Sequence, residues 1–157
     1  MCGIVGFIGN RTDVGNLLLD SLKKLEYRGY DSCGIAALSN GEIFIKKDVG
    51  RIDQVNEKLD FTTLKGNIGI AHTRWATHGG VTKENAHPHL SNNKKIAVVH
   101  NGIIENYQEL RNFLKENGFT FYSSTDTEVI PNLIEFEMRN GKDFEKATVD
   151  ALKKFEG

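Results

Sequence analysis

Apolar runs of strand length recur along the chain and alternate with repeats of helical spacing. Three short apolar runs predict buried strands, at residues 2–8, 67–73 and 95–100. Two further runs, 33–38 and 42–47, flank Asn40 and Gly41, and both of these turn residues tolerate a positive φ. This arrangement predicts a β-hairpin.

Apolar residues three and four positions apart predict four helices. The first is capped by Thr12 or Asp13 and ends near Arg28 and Gly29. The residues that share its apolar face are Val14, Leu18, Leu22 and Leu25. Three more helices are expected at residues 104–116, 128–139 and 143–155. The last is expected to carry one apolar stripe made of Phe144, Ala147, Ala151, Leu152 and Phe155.

Proline restricts where one of these helices begins. Pro131 lacks a backbone N–H and is compatible only with a first turn, which places Asp126 and Thr127 at the N-terminal end of that helix. The chain shows no repeat, low-complexity tract or linker-like segment. We therefore expect residues 1–157 to form a single α+β domain.

Charge and cysteine usage narrow the class of partners. The chain has 20 Lys and Arg against 21 Asp and Glu, a net charge of -1, which gives no reason to expect nucleic acid as a partner. Two cysteines cannot form a disulfide scaffold, and free thiols persist in reducing compartments. The apolar run after Met1 is too short for a membrane span and lacks the basic segment of a signal peptide. We expect a cytoplasmic protein without a membrane partner.

Cys2 is the first candidate for chemistry. A small second residue permits removal of Met1, and this would leave Cys2 with a free α-amine. An α-amine has a pKa of about 7.7–8.0, so it can serve as general base for the thiol of the same residue. Attack on an amide carbonyl would give an oxyanion, then a thioester and ammonia. The alternative is an N-terminal cysteine that only packs.

Three further positions fit recognition of an α-amino acid. Arg74 can bind a carboxylate bidentately, and Asp126 can accept hydrogen bonds from an ammonium group. Asn101 and Gly102, directly after a predicted strand, offer a side-chain amide and an unhindered N–H to one oxygen. Each also has a simpler interpretation, as a surface ion pair, a helix cap or a turn.

The histidines and the second cysteine invite other interpretations. The chain contains no HExxH and no paired CxxC, which argues against a metal site built from His72, His78, His87, His89 and His100. A protease-like Cys–His pair would leave the position of Cys2 and the Arg/Asp pair unexplained. Cys33 is expected to be a buried, inert thiol. Trp75 fits either the core or a mobile cover for a small ligand.

Five ordered motifs together resemble a known family. CGIVGFIG at residues 2–9 is similar to class II glutamine amidotransferases, which have an N-terminal cysteine. LEYRGYDS, HTRWATHG, NAHPH and HNGIIEN resemble, more specifically, the glutaminase domain of the glutamine–fructose-6-phosphate aminotransferases (isomerizing). The resemblance covers almost the whole chain. It implies an N-terminal-nucleophile hydrolase fold, an αββα sandwich of antiparallel sheets, and glutamine hydrolysis without a cofactor or metal.

The resemblance also implies a role for each matching residue. Cys2 is the expected nucleophile, and Asn101 and Gly102 are the expected oxyanion hole. Arg74 is expected to hold the glutamine carboxylate and Asp126 the ammonium group. Thr77 and His78 are expected to line the glutamine pocket, Trp75 to close over it, and Arg28 and Asp31 to support it.

Two expectations concern what the chain does alone. The resemblance implies that it stops before the remaining strands of the family's sandwich and before the sugar-phosphate isomerase domain, the expected partner in a homo-oligomeric full-length synthase. We therefore expect a truncated domain with an uncovered sheet and no acceptor for ammonia. The alternatives are an amidotransferase domain for another acceptor and a catalytically silent amino-acid-binding module, the latter if Met1 is retained.

Overall fold

The computed structural model describes residues 2–76 and 80–157. The strands, in chain order, are β1 (Gly3–Ile8), β2 (Ser32–Ser39), β3 (Glu42–Val49), β4 (Ile68–Arg74), β5 (His89–Leu90) and β6 (Ala97–Val98). The helices are α1 (Val14–Lys23), α2 (Ile52–Leu59), α3 (Tyr107–Glu116), α4 (Val129–Arg139) and α5 (Phe144–Leu152). The predicted α+β class is confirmed.

The larger sheet is antiparallel throughout, with the strand order β1-β4-β2-β3. The predicted hairpin is present, since β2 and β3 pair up to Ser39 and Glu42 around the turn. Asn40 and Gly41 have φ values of 51° and 80°, the left-handed region that a two-residue hairpin turn requires.

Helix α1 covers one face of this sheet with the predicted apolar stripe. Val14, Leu18 and Leu22 are fully buried and share a core with Ile35 of β2 and Ala71 of β4. The helix ends at Lys23 and not near Arg28 and Gly29 as predicted, so Leu25 lies beyond it. The 3.6-residue period therefore identified the helix and its buried face.

Strand β1 is not the fully buried strand that its apolar composition predicts. Among the described strands it lies at the edge of the sheet, paired with β4. Val5 and Phe7 pack against the α1 core, whereas Ile4 is exposed and Ile8 is 77% exposed. Alternate residues point to opposite faces of a sheet, so only half of this strand is covered.

A second cluster packs around α3, α4 and α5, which lie beside the short antiparallel pair β5-β6. Ala97 of β6 and Ile70 of β4 line one shared cavity, and Ile70 alternates with Ala71 of the α1 core, so the small sheet lies against the face of the larger sheet opposite α1. The predicted strand at 95–100 is reduced to two residues. Helices on the outside and two antiparallel sheets inside form the arrangement of a sandwich.

Two helical details differ from prediction. Helix α2 was not predicted, although Ile52, Val55 and Leu59 have the spacing of an apolar helix face and pack in the α1 core. In α5, Ala147 and Ala151 are fully buried, but Phe144 and Leu152 are exposed. Leu152 lies about 100° around the helix axis from Ala151, so it cannot share the same stripe.

Pro131 lies in the first turn of α4, as expected, with Asp126 and Thr127 just before the helix. Among the helices of the described ranges, none combines the length and apolar composition that crossing a membrane needs.

Candidate active site

The site lies on the face of β4 that is turned away from α1. Ala71 faces the α1 core, so the alternation of a strand turns His72 and Arg74 to the other side. His72 is opposite Ile4 in β1 and opposite Gly34 in β2. Both polar residues are buried, so the sheet brings an imidazole and a guanidinium to one enclosed surface.

Cys2 lies at the end of β1, beside the segment that follows β4. The backbone N–H of Trp75 donates to its Sγ at 3.2 Å, and the carbonyl oxygen of Trp75 is 3.6 Å from the same sulfur. Gly3 N–H donates to the Thr73 hydroxyl at 3.1 Å. These contacts fix the sulfur near the end of β4, with a backbone donor aimed at it.

Asn101 reaches Cys2 across 99 positions of sequence. Its Nδ2 donates to the carbonyl oxygen of Cys2 at 3.1 Å, and its Oδ1 lies 2.9 Å from His72 Nε2. Gly102 follows, packed so closely on the His100 ring that a Cβ there would lie 2.7 Å from Nε2. The side-chain amide of Asn101 and the backbone of Gly102 therefore face the same space as Cys2.

Arg74 and Asp126 supply opposite charges to this space. Burial lowers the pKa of the Arg74 guanidinium, an effect that the nearby Cys2, Asp31 and Asp126 oppose. Its Nη1 donates to the carbonyl oxygen of Gly80 at 3.2 Å. Asp126 Oδ2 accepts the backbone N–H of Ile104 at 2.9 Å, which holds the carboxylate against the loop after Gly102.

Arg28, Asp31 and Trp75 surround these groups. The guanidinium of Arg28 lies 5.2 Å from the centroid of the Tyr27 ring. Asp31 accepts the backbone N–H of Ala76 at 2.9 Å and donates its own N–H to the Arg74 carbonyl, so it holds the segment that carries Trp75. The indole of Trp75 is partly exposed and meets the ring of Tyr30 edge to face at 5.4 Å.

These residues border a cavity of about 450 Å³. Seven predicted site residues line it, namely Cys2, Arg28, Arg74, Trp75, Asn101, Gly102 and Asp126. Asp31 lies behind the lining, and the two remaining predictions, Thr77 and His78, fall outside the described residues. A cavity of this size with several converging polar groups is typical of a small-molecule site.

Sequence reasoning did not assign site roles to His72, His87, Thr125 and Thr127, which also line the cavity. The His72 and His87 rings are stacked at 4.2 Å, and His89 meets His87 edge to face at 4.7 Å. Burial lowers the pKa of His72 to about 4 and lowers the pKa values of His87 and His89 as well. The HTRWATHG, NAHPH and STDTE motifs contain all four of these residues and were the available signals.

The two cysteines lie in opposite environments. Cys33 is buried in the α1 core, and burial raises the pKa of its thiol to about 12. Cys2 is partly exposed and borders the cavity. Within residues 2–76 and 80–157, no three His, Cys, Asp or Glu residues are grouped so that they could hold a metal ion.

Comparisons with known proteins give the family. Residues 58–148 match the family described as "Glutamine amidotransferase domain". The chain is 54% identical, over all of its 157 residues, to the glutamine–fructose-6-phosphate aminotransferase [isomerizing] of Pyrococcus horikoshii and covers 26% of that protein. It is 55% identical to the protein of the same name from Methanothermobacter thermautotrophicus, again over the whole chain and 26% of the relative.

Comparison with solved structures supports the same family. The glutamine phosphoribosylpyrophosphate (PRPP) amidotransferase from B. subtilis, complexed with ADP and GMP, superposes with a TM-score of 0.83 at 28% identity, over all of this chain and 33% of that one. The structure of an allosteric regulatory enzyme of purine biosynthesis superposes with a TM-score of 0.85 at 28% identity, over the whole of this chain and 34% of that one. The predicted N-terminal-nucleophile hydrolase sandwich of antiparallel sheets is confirmed.

The chain spans about a quarter of the length of the curated relatives it matches. The family match nevertheless covers more than half of the chain, and the likeness in sequence and fold extends over all of it. The chain belongs to the glutamine amidotransferase domain family.

Proposed function

We propose that this domain hydrolyses L-glutamine to glutamate and ammonia through a thioester on Cys2. The observation that carries the proposal is the convergence of four kinds of group on one cavity. A thiol, an amide donor, a buried cation and a buried carboxylate, from Cys2, Asn101, Arg74 and Asp126, all border the same 450 Å³.

The charged pair fits the α-amino acid end of glutamine. Arg74 binds the α-carboxylate, for which its planar guanidinium has the matching geometry, and Asp126 binds the α-ammonium group. Each charge-assisted hydrogen bond contributes about 1.5–3 kcal/mol. Thr77 and His78 remain predicted glutamine contacts, on the strength of the family resemblance. The side-chain amide of glutamine is then directed towards Cys2.

The first chemical step forms a C–S bond and breaks a C–N bond. With Met1 removed, the α-amine of Cys2 takes the thiol proton as the sulfur attacks the amide carbon. The carbonyl oxygen becomes an oxyanion, which accepts hydrogen bonds from Asn101 Nδ2 and the Gly102 N–H. The α-amine returns its proton to the leaving nitrogen, so ammonia departs and the thioester remains.

The second step is hydrolysis of the thioester. Water attacks the same carbon, the α-amine takes a proton from it, and the same two donors stabilise the second oxyanion. Glutamate is released when the C–S bond breaks and the thiol regains its proton. Trp75 covers the cavity during both steps, held by the contact of Asp31 with Ala76, and Arg28 supports the rim.

The proposed acceptor of the ammonia is fructose 6-phosphate. Its support is the 54–55% identity to relatives named for that reaction, against 28% to the PRPP amidotransferase. Those relatives are about four times as long as this chain. We propose that a sugar-phosphate isomerase domain is the partner of this domain, in a homo-oligomeric synthase. Glucosamine 6-phosphate formation from glutamine, measured with both parts in one polypeptide, tests this assignment.

The nucleophile is tested with a glutamine analogue that carries an electrophile at the side-chain amide position. Peptide mass mapping should find the label on Cys2, and Cys33 should stay unlabelled because its pKa of about 12 keeps it protonated. Cys33→Ala is the matched control and should keep glutaminase activity, whereas Cys2→Ala should abolish it. Labelling confined to Cys33, or an active Cys2→Ala protein, would remove the thioester mechanism.

A further inference from the structure

The ring of His72 is closely packed in the wall of the cavity. Its ring is 1% exposed and stacks on His87 at 4.2 Å with only 16° between the two planes. The segment that carries His87 crosses β2 at Gly34, where an added Cβ would lie 2.2 Å from the His87 carbonyl oxygen. The ring of His72 therefore has one position and one plane.

The ring is neutral at cellular pH. Burial lowers its pKa to about 4, although the hydrogen bond with Asn101 and, more weakly, the nearby backbone of His100 favour the protonated form. A neutral imidazole carries a single N–H, so one ring nitrogen is a donor and the other an acceptor.

The chemistry of the neighbouring groups decides which nitrogen carries the proton. The carbonyl oxygen of Cys2 can only accept, so the atom of Asn101 that lies 3.1 Å from it is the amide nitrogen. The amide oxygen then faces His72 Nε2 at 2.9 Å and requires a donor there. The proton is on Nε2. Nδ1 is the bare nitrogen, and it has no hydrogen-bond partner among the residues that the structure describes.

We infer that His72 is a positioning residue for the reaction, holding the Asn101 carboxamide with its N–H groups towards Cys2 through a single Nε2–H donor. This inference rests on the proposed function, in which Asn101 stabilises the oxyanion. With the other tautomer, Nε2 would attract the amide nitrogen, and the amide oxygen of Asn101 would turn towards Cys2. An oxygen at that place would repel the oxyanion instead of binding it.

The inference is tested with a pair of substitutions that differ in the donor. His72→Leu removes the donor, and His72→Gln keeps an amide N–H at nearly the reach of Nε2. We expect His72→Leu to lower kcat for glutamine hydrolysis at least ~10-fold with less than ~3-fold change in KM, because the lost contact acts only on the transition state. His72→Gln should recover most of that loss.

A double-mutant cycle separates positioning from a purely structural role. In an Asn101→Ala background, His72→Leu should cost less than ~3-fold in kcat, because the group it orients is gone. An equal loss in both backgrounds, or a His72→Gln protein as slow as His72→Leu, would overturn the inference. The two failures are distinguishable, since a parent protein that does not release ammonia from glutamine contradicts the proposed function first.

The tautomer can be read without any activity. Nitrogen-15 NMR of the histidine-labelled protein should show His72 protonated on Nε2, with Nδ1 at the shift of a bare nitrogen. A proton on Nδ1 would overturn the inference even if His72→Leu failed to fold.

Discussion

Lowering the pH from 7 to 5 should destabilise this domain strongly. The perturbation acts on His72, His87 and His89, three buried rings in contact in pairs, whose pKa values are all lowered by burial. A histidine with a lowered folded pKa binds fewer protons in the folded chain than in the unfolded one. The stability it contributes is therefore present above the unfolded pKa of about 6.5 and is lost as the pH falls towards the folded pKa.

The size of the effect follows from His72, for which the folded pKa is about 4 against 6.5. A difference of about 2.5 units corresponds to about 3.4 kcal/mol over the whole window, of which about 2 kcal/mol is lost between pH 7 and pH 5. His87 and His89 add to this loss in the same direction. Against a total stability of about 5–15 kcal/mol, the loss is large.

Guanidinium unfolding at pH 7, 6 and 5 measures the slope of stability with pH. Carboxyl groups whose pKa is lowered by a partner, such as Asp48 beside Lys58, lose their contribution only below about pH 4–5, so the window isolates the histidines. His87→Phe is the matched variant, because it keeps a stacked ring and removes one titrating group. Its slope should fall by up to one proton per molecule. A parent stability that is flat from pH 7 to 5, or an unchanged slope in His87→Phe, would refute the reasoning.

Two further predictions use matched pairs. Gly34→Ala should lower the free energy of unfolding by about 1–3 kcal/mol, because its Cβ would meet the backbone of the 85–89 segment at 2.2 Å. Gly6→Ala, in a strand position where an added Cβ would have nothing within 4 Å, should raise the free energy of unfolding by up to ~1 kcal/mol. Thermal unfolding that finds Gly34→Ala more stable than Gly6→Ala would contradict the packing described for β2. Arg74→Ala should weaken glutamine binding at least ~10-fold, whereas binding of glutamine α-amide, which lacks the carboxylate, should change little. Calorimetry that finds equal losses for both ligands would reject the carboxylate role.

Local features of the chain were predictable because their causes are local. The hairpin follows from the φ preferences of Asn40 and Gly41, the buried face of α1 from the spacing of its apolar residues, and the start of α4 from Pro131. The family was also accessible, since motifs such as HTRWATHG and HNGIIEN are contiguous in the chain.

Features that depend on which elements become neighbours were not predictable. Strand β1 has the composition of a buried strand, but its place at the sheet edge leaves Ile8 exposed. Helix α2 has an apolar face made of Ile52, Val55 and Leu59, but its 8 residues are fewer than the window over which helical periodicity is read from a sequence. Burial is decided by the partner of an element, and the sequence of the element does not specify that partner.

In the site, too, some features were predictable from the sequence and others depended on the tertiary structure. The residues proposed to carry its chemistry, Cys2, Arg74, Asn101 and Asp126, could be chosen from the sequence because each chemistry needs a particular functional group. The orientation of Asn101 could not, because it depends on a ring from β4 and on the carbonyl of Cys2, 29 and 99 positions away. Tertiary structure made His72 a neutral donor at that place, since only close packing removes the water that would otherwise let it ionise and turn.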